Sequence, residues 1–274
     1  MNKLILLSFF IFINSAYANF GGYTRSKIAA LGRQYVYNPN NVVELTKERL
    51  TLSISDKLNL NGKFWFKNTS DKKVTIHLAF PQKTFWEIPY NEKSKRYVPG
   101  KISKIKPKIL INGKHKKFSQ DVTLTMNSTK KIKFLSFDEI RPTLVEYAGR
   151  NEAQSPPQMD VYLWFHKEIS MRAKEVVLVD ISFSTDWSYK DKEWSDRTEK
   201  SDRYFEYITA TGGTWKGGVI TDFKFIVNLS SEYENKLLFK PTKKWNKISS
   251  LKYEFSERNY IPEKHIYIKN IKLD

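Results

Sequence analysis

The sequence predicts an all-β protein, and three observations predict it. Apolar residues recur with period two in many short runs. Those runs are bounded by turn residues, and helical periodicity is nearly absent. Of 274 residues, 40% are apolar and 15% aromatic, so the chain carries the large groups that a core needs and a disordered chain lacks. That length allows one large or two ordinary domains. The expected architecture is two immunoglobulin-like β-sandwiches in tandem, or one large sandwich, with few short helices.

The elements follow in chain order. Met1-Asn2-Lys3 is a short basic start, residues 4–13 are a ten-residue apolar stretch, and small residues stand at Ala16 and Ala18. This is the layout of a signal peptide over residues 1–18. Ten helical residues reach about 15 Å, half of a bilayer's hydrocarbon thickness, so a membrane anchor is the poorer reading. No later stretch approaches spanning length, so residues 19–274 are expected to be soluble, periplasmic or secreted. Leu50, Leu52 and Ile54 alternate with polar residues, and so do Val74, Ile76, Leu78 and Phe80. Ile109-Leu110-Ile111 precedes Asn112-Gly113, a pair that favours a type I′ hairpin because both residues tolerate positive φ. Val122, Leu124 and Met126 alternate next. Residues 138–149 suit a short helix limited by Pro142, and Ser155-Pro156-Pro157 reads as a break. That break separates a basic amino-terminal domain, 19–154, from a carboxy-terminal domain, 155–274. Val177, Val179, Ile181 and Phe183 line one strand face, a further strand runs over 203–209, Phe223 to Leu229 alternate, and Ile266 and Ile268 close the series. Between them, residues 186–206 read as a long mixed-charge loop that suits docking on the basic half or simple solvation.

Charge is unevenly distributed. The chain has 47 Lys+Arg against 29 Asp+Glu, a net +18. Residues 19–150 hold 26 basic and 10 acidic side chains, residues 151–274 hold 20 and 19. Ten bases and no acid occupy 93–117: Lys93, Lys95, Arg96, Lys101, Lys104, Lys106, Lys108, Lys114, Lys116 and Lys117. A strand here sets Lys104, Lys106 and Lys108 on one face and Ile105, Ile109 and Ile111 on the other. Such a surface suits a polyanion, whether an acidic glycan, a lipopolysaccharide phosphate or nucleic acid, and also suits a solvated edge that resists aggregation.

Catalytic spacing is missing. With no cysteine there is no disulfide scaffold, thiol nucleophile or Cys-ligated metal. His77, His115, His166 and His265 show no metal-ligand spacing, and there is no serine elbow, P-loop or dinucleotide fingerprint. No cofactor and no metal are expected. Glu44, Glu48, Glu146 and Asp160 are available for a carboxylate dyad, a weak signal in any secreted chain. Asn68, Asn127 and Asn228 begin glycosylation sequons.

The most distinctive segment is Thr211-Gly212-Gly213-Thr214-Trp215-Lys216-Gly217-Gly218, whose glycines demand unusual backbone geometry. Trp215 suits either an exposed sugar-stacking platform beside Lys216 or a buried plug at the end of a sandwich. Together with residues 43–53, Phe64-Trp65-Phe66-Lys67-Asn68, Leu78-Ala79-Phe80-Pro81 and Val161-Tyr162-Leu163-Trp164-Phe165, this segment resembles a family of signal-peptide-bearing bacterial proteins. Their domain has no assigned function and carries a Thr-Gly-x-x-Trp-Lys-Gly motif. The resemblance implies export and an all-β fold, and supplies no catalytic residue.

The expected function is a non-enzymatic envelope binding or accessory module that contacts anionic polymer or a partner protein. Specific nucleic-acid binding is not expected. The alternative is a glycan-processing hydrolase with a carboxylate pair near Trp215.

Overall fold

In the computed structural model the described residues are 42–84, 107–126, 132–135, 159–185, 188–190, 202–207, 215–262 and 266–270, with the two-residue strands 21–22, 30–31, 34–35, 90–91 and 96–97. They are almost entirely strand. The short elements β1 (Gly21–Gly22), β2 (Ala30–Leu31) and β3 (Gln34–Tyr35) precede the long β4 (Val43–Ile54), β5 (Leu58–Asn68) and β6 (Val74–Thr84). Next come β7 (Tyr90–Asn91), β8 (Arg96–Tyr97), β9 (Lys108–Ile111), β10 (Lys114–His115), β11 (Ser119–Met126) and β12 (Ile132–Leu135). The second half supplies β13 (Met159–Met171), β14 (Val176–Thr185), β15 (Ser188–Lys190), β16 (Asp202–Tyr207), β17 (Ile220–Leu229), β18 (Leu237–Lys240), β19 (Asn246–Ser249), β20 (Lys252–Tyr260) and β21 (Ile266–Asn270). Among the described residues single-turn 3₁₀ helices interrupt them at Lys216–Gly218, Ser231–Tyr233 and Thr242–Lys244. The signal segment, residues 138–149 and Ser155-Pro156-Pro157 lie outside the described residues.

An eight-stranded sheet in the order β10-β9-β14-β5-β4-β17-β20-β19 forms the central wall. Its neighbours are antiparallel except β4 and β17, which run parallel with Leu50 opposite Phe225. Along its rows Phe225, Leu50, Gly62 and Ile181 stand side by side, so these residues share one face. That face is apolar because every second residue of each strand is apolar. β5, for example, turns Leu58, Leu60, Phe64 and Phe66 inward and Asn59, Asn61, Lys63 and Lys67 outward. Two smaller sheets cover it. A five-stranded sheet, β1-β6-β13-β11-β12, packs through Phe80 on Phe183 with ring centroids 5.6 Å apart. A four-stranded sheet, β15-β16-β21-β18, packs through Tyr207 on Phe225 at 5.7 Å and Phe239 on Tyr253 at 4.4 Å. Phe64, Phe66, Phe205, Phe223, Phe225 and Phe255 are all fully buried, each stabilising the fold by roughly 1.5–3 kcal/mol relative to exposure.

Two expectations are corrected here. Of the two expected architectures, tandem immunoglobulin-like sandwiches or one large sandwich, the tandem form with its division into 19–154 and 155–274 does not describe these sheets. β14 inserts between β5 and β9, and β13 between β6 and β11, so strands from both halves share each large sheet. Alternation says which face of a strand is buried but not which neighbour satisfies its edges, so this interleaving leaves no trace in the pattern. The stretch 186–206 is likewise not all loop: Ser188–Lys190 pairs with Asp202–Tyr207 as an antiparallel hairpin.

β4 contains an irregularity that decides which of its side chains are buried. Leu45 stands opposite Phe66 and Lys47 opposite Trp65, which leaves Thr46 as an extra residue, a β-bulge. The Thr46 hydroxyl donates to the Trp65 carbonyl at 3.1 Å. Before the bulge Val43 and Leu45 point inward, and after it Glu48, Leu50, Leu52 and Ile54 do. A regular strand through the same residues would bury Lys47 and Arg49 instead.

Candidate functional site

The basic run is partly visible. Arg96 lies in β8, while Lys93, Lys95, Lys101, Lys104 and Lys106 lie outside the described residues. β9 and β10 form a hairpin at the edge of the eight-stranded sheet, with Lys114 opposite Ile111 and His115 opposite Leu110. Its turn residues Asn112 and Gly113 have φ of 50° and 75°, as a type I′ turn requires. The Asn112 side-chain oxygen accepts from the Leu178 amide at 2.8 Å, fastening the turn to β14. Ile109 and Ile111 are buried, whereas Lys108, Lys114, Lys116 and Lys117 are exposed. No acidic side chain pairs with any of the four among the described residues. Lys108, Lys114 and His115 therefore lie on the two paired strands, and Lys116 and Lys117 directly follow them.

The glycine-rich segment is an internal tie. Gly212 and Gly213 lie outside the described residues. Trp215 is only 3% exposed and packs against Phe66 with centroids 4.8 Å apart, which overturns the exposed stacking platform. Gly217 and Gly218 carry φ of 81° and 63°, where a Cβ is strained, and the Gly218 amide closes a tight turn on the Trp215 carbonyl at 2.9 Å. Lys216 is directed to the start of β4, donating to the Thr69 hydroxyl at 2.9 Å and lying 3.4 Å from the Glu44 carboxylate. The Thr69 hydroxyl in turn donates to the Val42 carbonyl at 2.9 Å.

Glu44 and Glu48 thus do not form a dyad, because the bulge between them places them on opposite faces of β4: Glu44 binds Lys216, and Glu48 is fully buried. Glu146 lies outside the described residues, and Asp160 lies in β13. Glu48 Oε1 accepts a hydrogen bond from the Tyr207 hydroxyl, and its Oε2 has no hydrogen-bond partner among the described residues. Burial pushes the Glu48 carboxyl up from its ordinary 4.5 to about 8, opposed by the Tyr207 hydrogen bond, which favours the ionised form. Burial and the neighbouring Glu48 push the Tyr207 phenol well above its ordinary value. By residue type alone Glu48 is one candidate carboxylate among several. The signal available was the break in alternation at Leu45-Thr46-Lys47-Glu48, which only a bulge can reconcile with a buried face.

The remaining candidates do not converge on one site, and His265 lies outside the described residues. His77 is exposed and pairs with Glu168 across β6 and β13 at 2.7 Å. His115 is exposed and His166 half-buried. Among the described residues no group of three or more His, Asp or Glu could hold a metal ion, and no helix is long and apolar enough to cross a membrane. Asn68 is fully buried, its amide donating to the Lys72 and Arg172 carbonyls at 2.8 and 2.7 Å and accepting from Ser70.

Comparison with known proteins bears on this geometry. Residues 165–268 match a domain of unknown function (DUF4424). The matched span runs from β13 to β21 and includes the Trp215–Gly218 tie, and it agrees in kind with the resemblance to an uncharacterised domain. The fold is similar to the crystal structure of a candidate nutrient-binding protein from Legionella pneumophila, with TM-score 0.51 and 15% identity, covering 94% of this chain and 73% of that one. At that identity the likeness concerns the fold alone. An M1 zinc metallopeptidase from Deinococcus radiodurans aligns at TM-score 0.35 and 8% identity over 85% of this chain and 43% of its own, too low to carry an argument. No curated protein matches the chain.

Proposed function

We propose that the chain is an exported envelope protein with a binding or accessory role and no catalytic one. Its β9–β10 hairpin is the contact surface for an anionic envelope polymer or an acidic partner. The observation that carries this reading is the set of exposed Lys108, Lys114, Lys116 and Lys117, without an acidic partner among the described residues, on and just after a hairpin pinned to the sheet through Asn112. Several cations acting together recruit polyanions by releasing counterions. The apolar start and Ala18 support export, with cleavage after Ala18. A binding role is also how the Legionella protein is described, though only shape connects the two.

The test is salt elution from immobilised heparin and from lipopolysaccharide. The Lys108→Glu, Lys114→Glu, Lys116→Glu, Lys117→Glu variant is compared with one carrying Lys57→Glu, Lys67→Glu, Lys72→Glu and Lys73→Glu, four exposed lysines elsewhere. The hairpin variant is expected to elute at much lower salt than the control. Equal elution of the two variants would show that net charge, not the hairpin, does the binding.

A further inference from the structure

The Glu48–Tyr207 contact plays no part in the proposed function, yet it lies at a mechanically decisive place. β4 belongs to the eight-stranded wall and β16 to the four-stranded sheet that covers it. Among the described residues the polar contact between these two strands is the hydrogen bond from the Tyr207 hydroxyl to Glu48 Oε1, with both side chains fully buried. In register on either side of Glu48 stand Phe64 of β5 and Phe223 of β17, both apolar. Tyr207 lies against Phe225 of β17, and the Tyr260 phenol of β20 acts on it electrostatically. The nearby cations serve the other face: Arg49 donates to the Glu48 and Asp222 carbonyls, and Lys47 lies 3.8 Å from the Asp222 carboxylate. No cation among the described residues meets the Glu48 carboxyl.

We propose that the Glu48–Tyr207 pair is an acid-tightened fastening between the eight-stranded and four-stranded sheets. A protonated carboxyl lets the seam close, and an ionised one favours parting β16 from β4 and admitting water. The sign follows from linkage. In a parted seam the carboxyl titrates near its ordinary 4.5, and in the closed seam near 8. Between those values the closed form holds more protons, so closure is fully favoured at the acid end. The opening constant rises about tenfold per pH unit and levels off once the closed form also ionises. The bulge at Thr46 is what makes this possible, since it alone turns an acidic position of β4 inward.

The experiment is hydrogen–deuterium exchange of the intact protein from pH 5 to 9, corrected for intrinsic exchange, with β14 as internal reference. Opening of β16 and β21 is expected to rise several hundredfold relative to β14 between pH 5 and 8, then to level. Glu48→Gln, which keeps an acceptor for Tyr207 but cannot ionise, is expected to flatten the profile. Tyr207→Phe removes the bond that favours ionisation and is expected to move the levelling point to higher pH. A flat profile in the unaltered protein, or an unchanged slope in Glu48→Gln, overturns the proposal. Should Glu48→Gln fail to fold, an unshifted or downward-shifted profile in Tyr207→Phe overturns it. None of these readouts depends on anion binding.

Discussion

Replacing Trp215 with alanine separates the two roles open to the glycine-rich segment. The side chain is 3% exposed and its ring lies 4.8 Å from that of Phe66, which is itself fully buried. Truncating a buried aromatic removes its transfer energy and leaves a cavity, a combined loss of about 3–5 kcal/mol. Against a typical domain stability of about 5–15 kcal/mol, this is a large fraction of the total. Urea unfolding followed by far-ultraviolet circular dichroism measures it, with an unchanged m-value showing that the loss is one of stability. A double-mutant cycle with Phe66→Leu is expected to show a coupling of about 0.5–1.5 kcal/mol for the ring pair. A ligand platform on the surface would instead lose almost no stability. A loss below about 1 kcal/mol, or a coupling of zero, would refute the buried plug.

Gly62→Ala is expected to destabilise by about 1–3 kcal/mol, seen as a lower Tm, because the added Cβ would sit 2.8 Å from Phe64 Cε2 and 3.2 Å from Ile181 Cγ2. Asn112→Ala is expected to lower the urea midpoint by the equivalent of about 1–2 kcal/mol, since it loses the acceptor for the Leu178 amide and places alanine at φ 50°. Asn68 is expected to stay unmodified in a host that glycosylates sequons, because its amide is buried and committed to two carbonyls; intact-peptide mass spectrometry reads this directly. Asn68→Asp sets a carboxylate against the same carbonyls, with a loss of roughly 1–3 kcal/mol in chemical denaturation.

Much of the strand content was legible because alternation is a local consequence of one buried face. Leu50-Thr51-Leu52-Ser53-Ile54 and the run from Val177 to Phe183 needed nothing beyond themselves, and Asn112-Gly113 specified its own turn. β5 and the long tail of β20 were harder to read. Asn59, Asn61 and Gly62 are weak strand formers held in place by strands on both sides, and Lys252 to Tyr260 mixes charge into the pattern. The pairing order was illegible because backbone hydrogen bonds join strands irrespective of side chain. The same limit applied at the site. The lysines of the hairpin announced themselves by charge, whereas Glu48 looked like one exposed acid among many until the bulge turned it inward.

The parallel pairing of β4 with β17 has a bearing on how the molecule comes into being. Arg49 and Asp222, which meet across that seam, are separated by 173 positions in the chain. The central wall therefore stays unfinished while the polypeptide is still emerging from the ribosome or a translocon, and its long amino-terminal strands must wait with open edges for partners synthesised much later. Such non-local closure is slow. A chain built this way must keep its early strand edges unpaired until their late partners arrive.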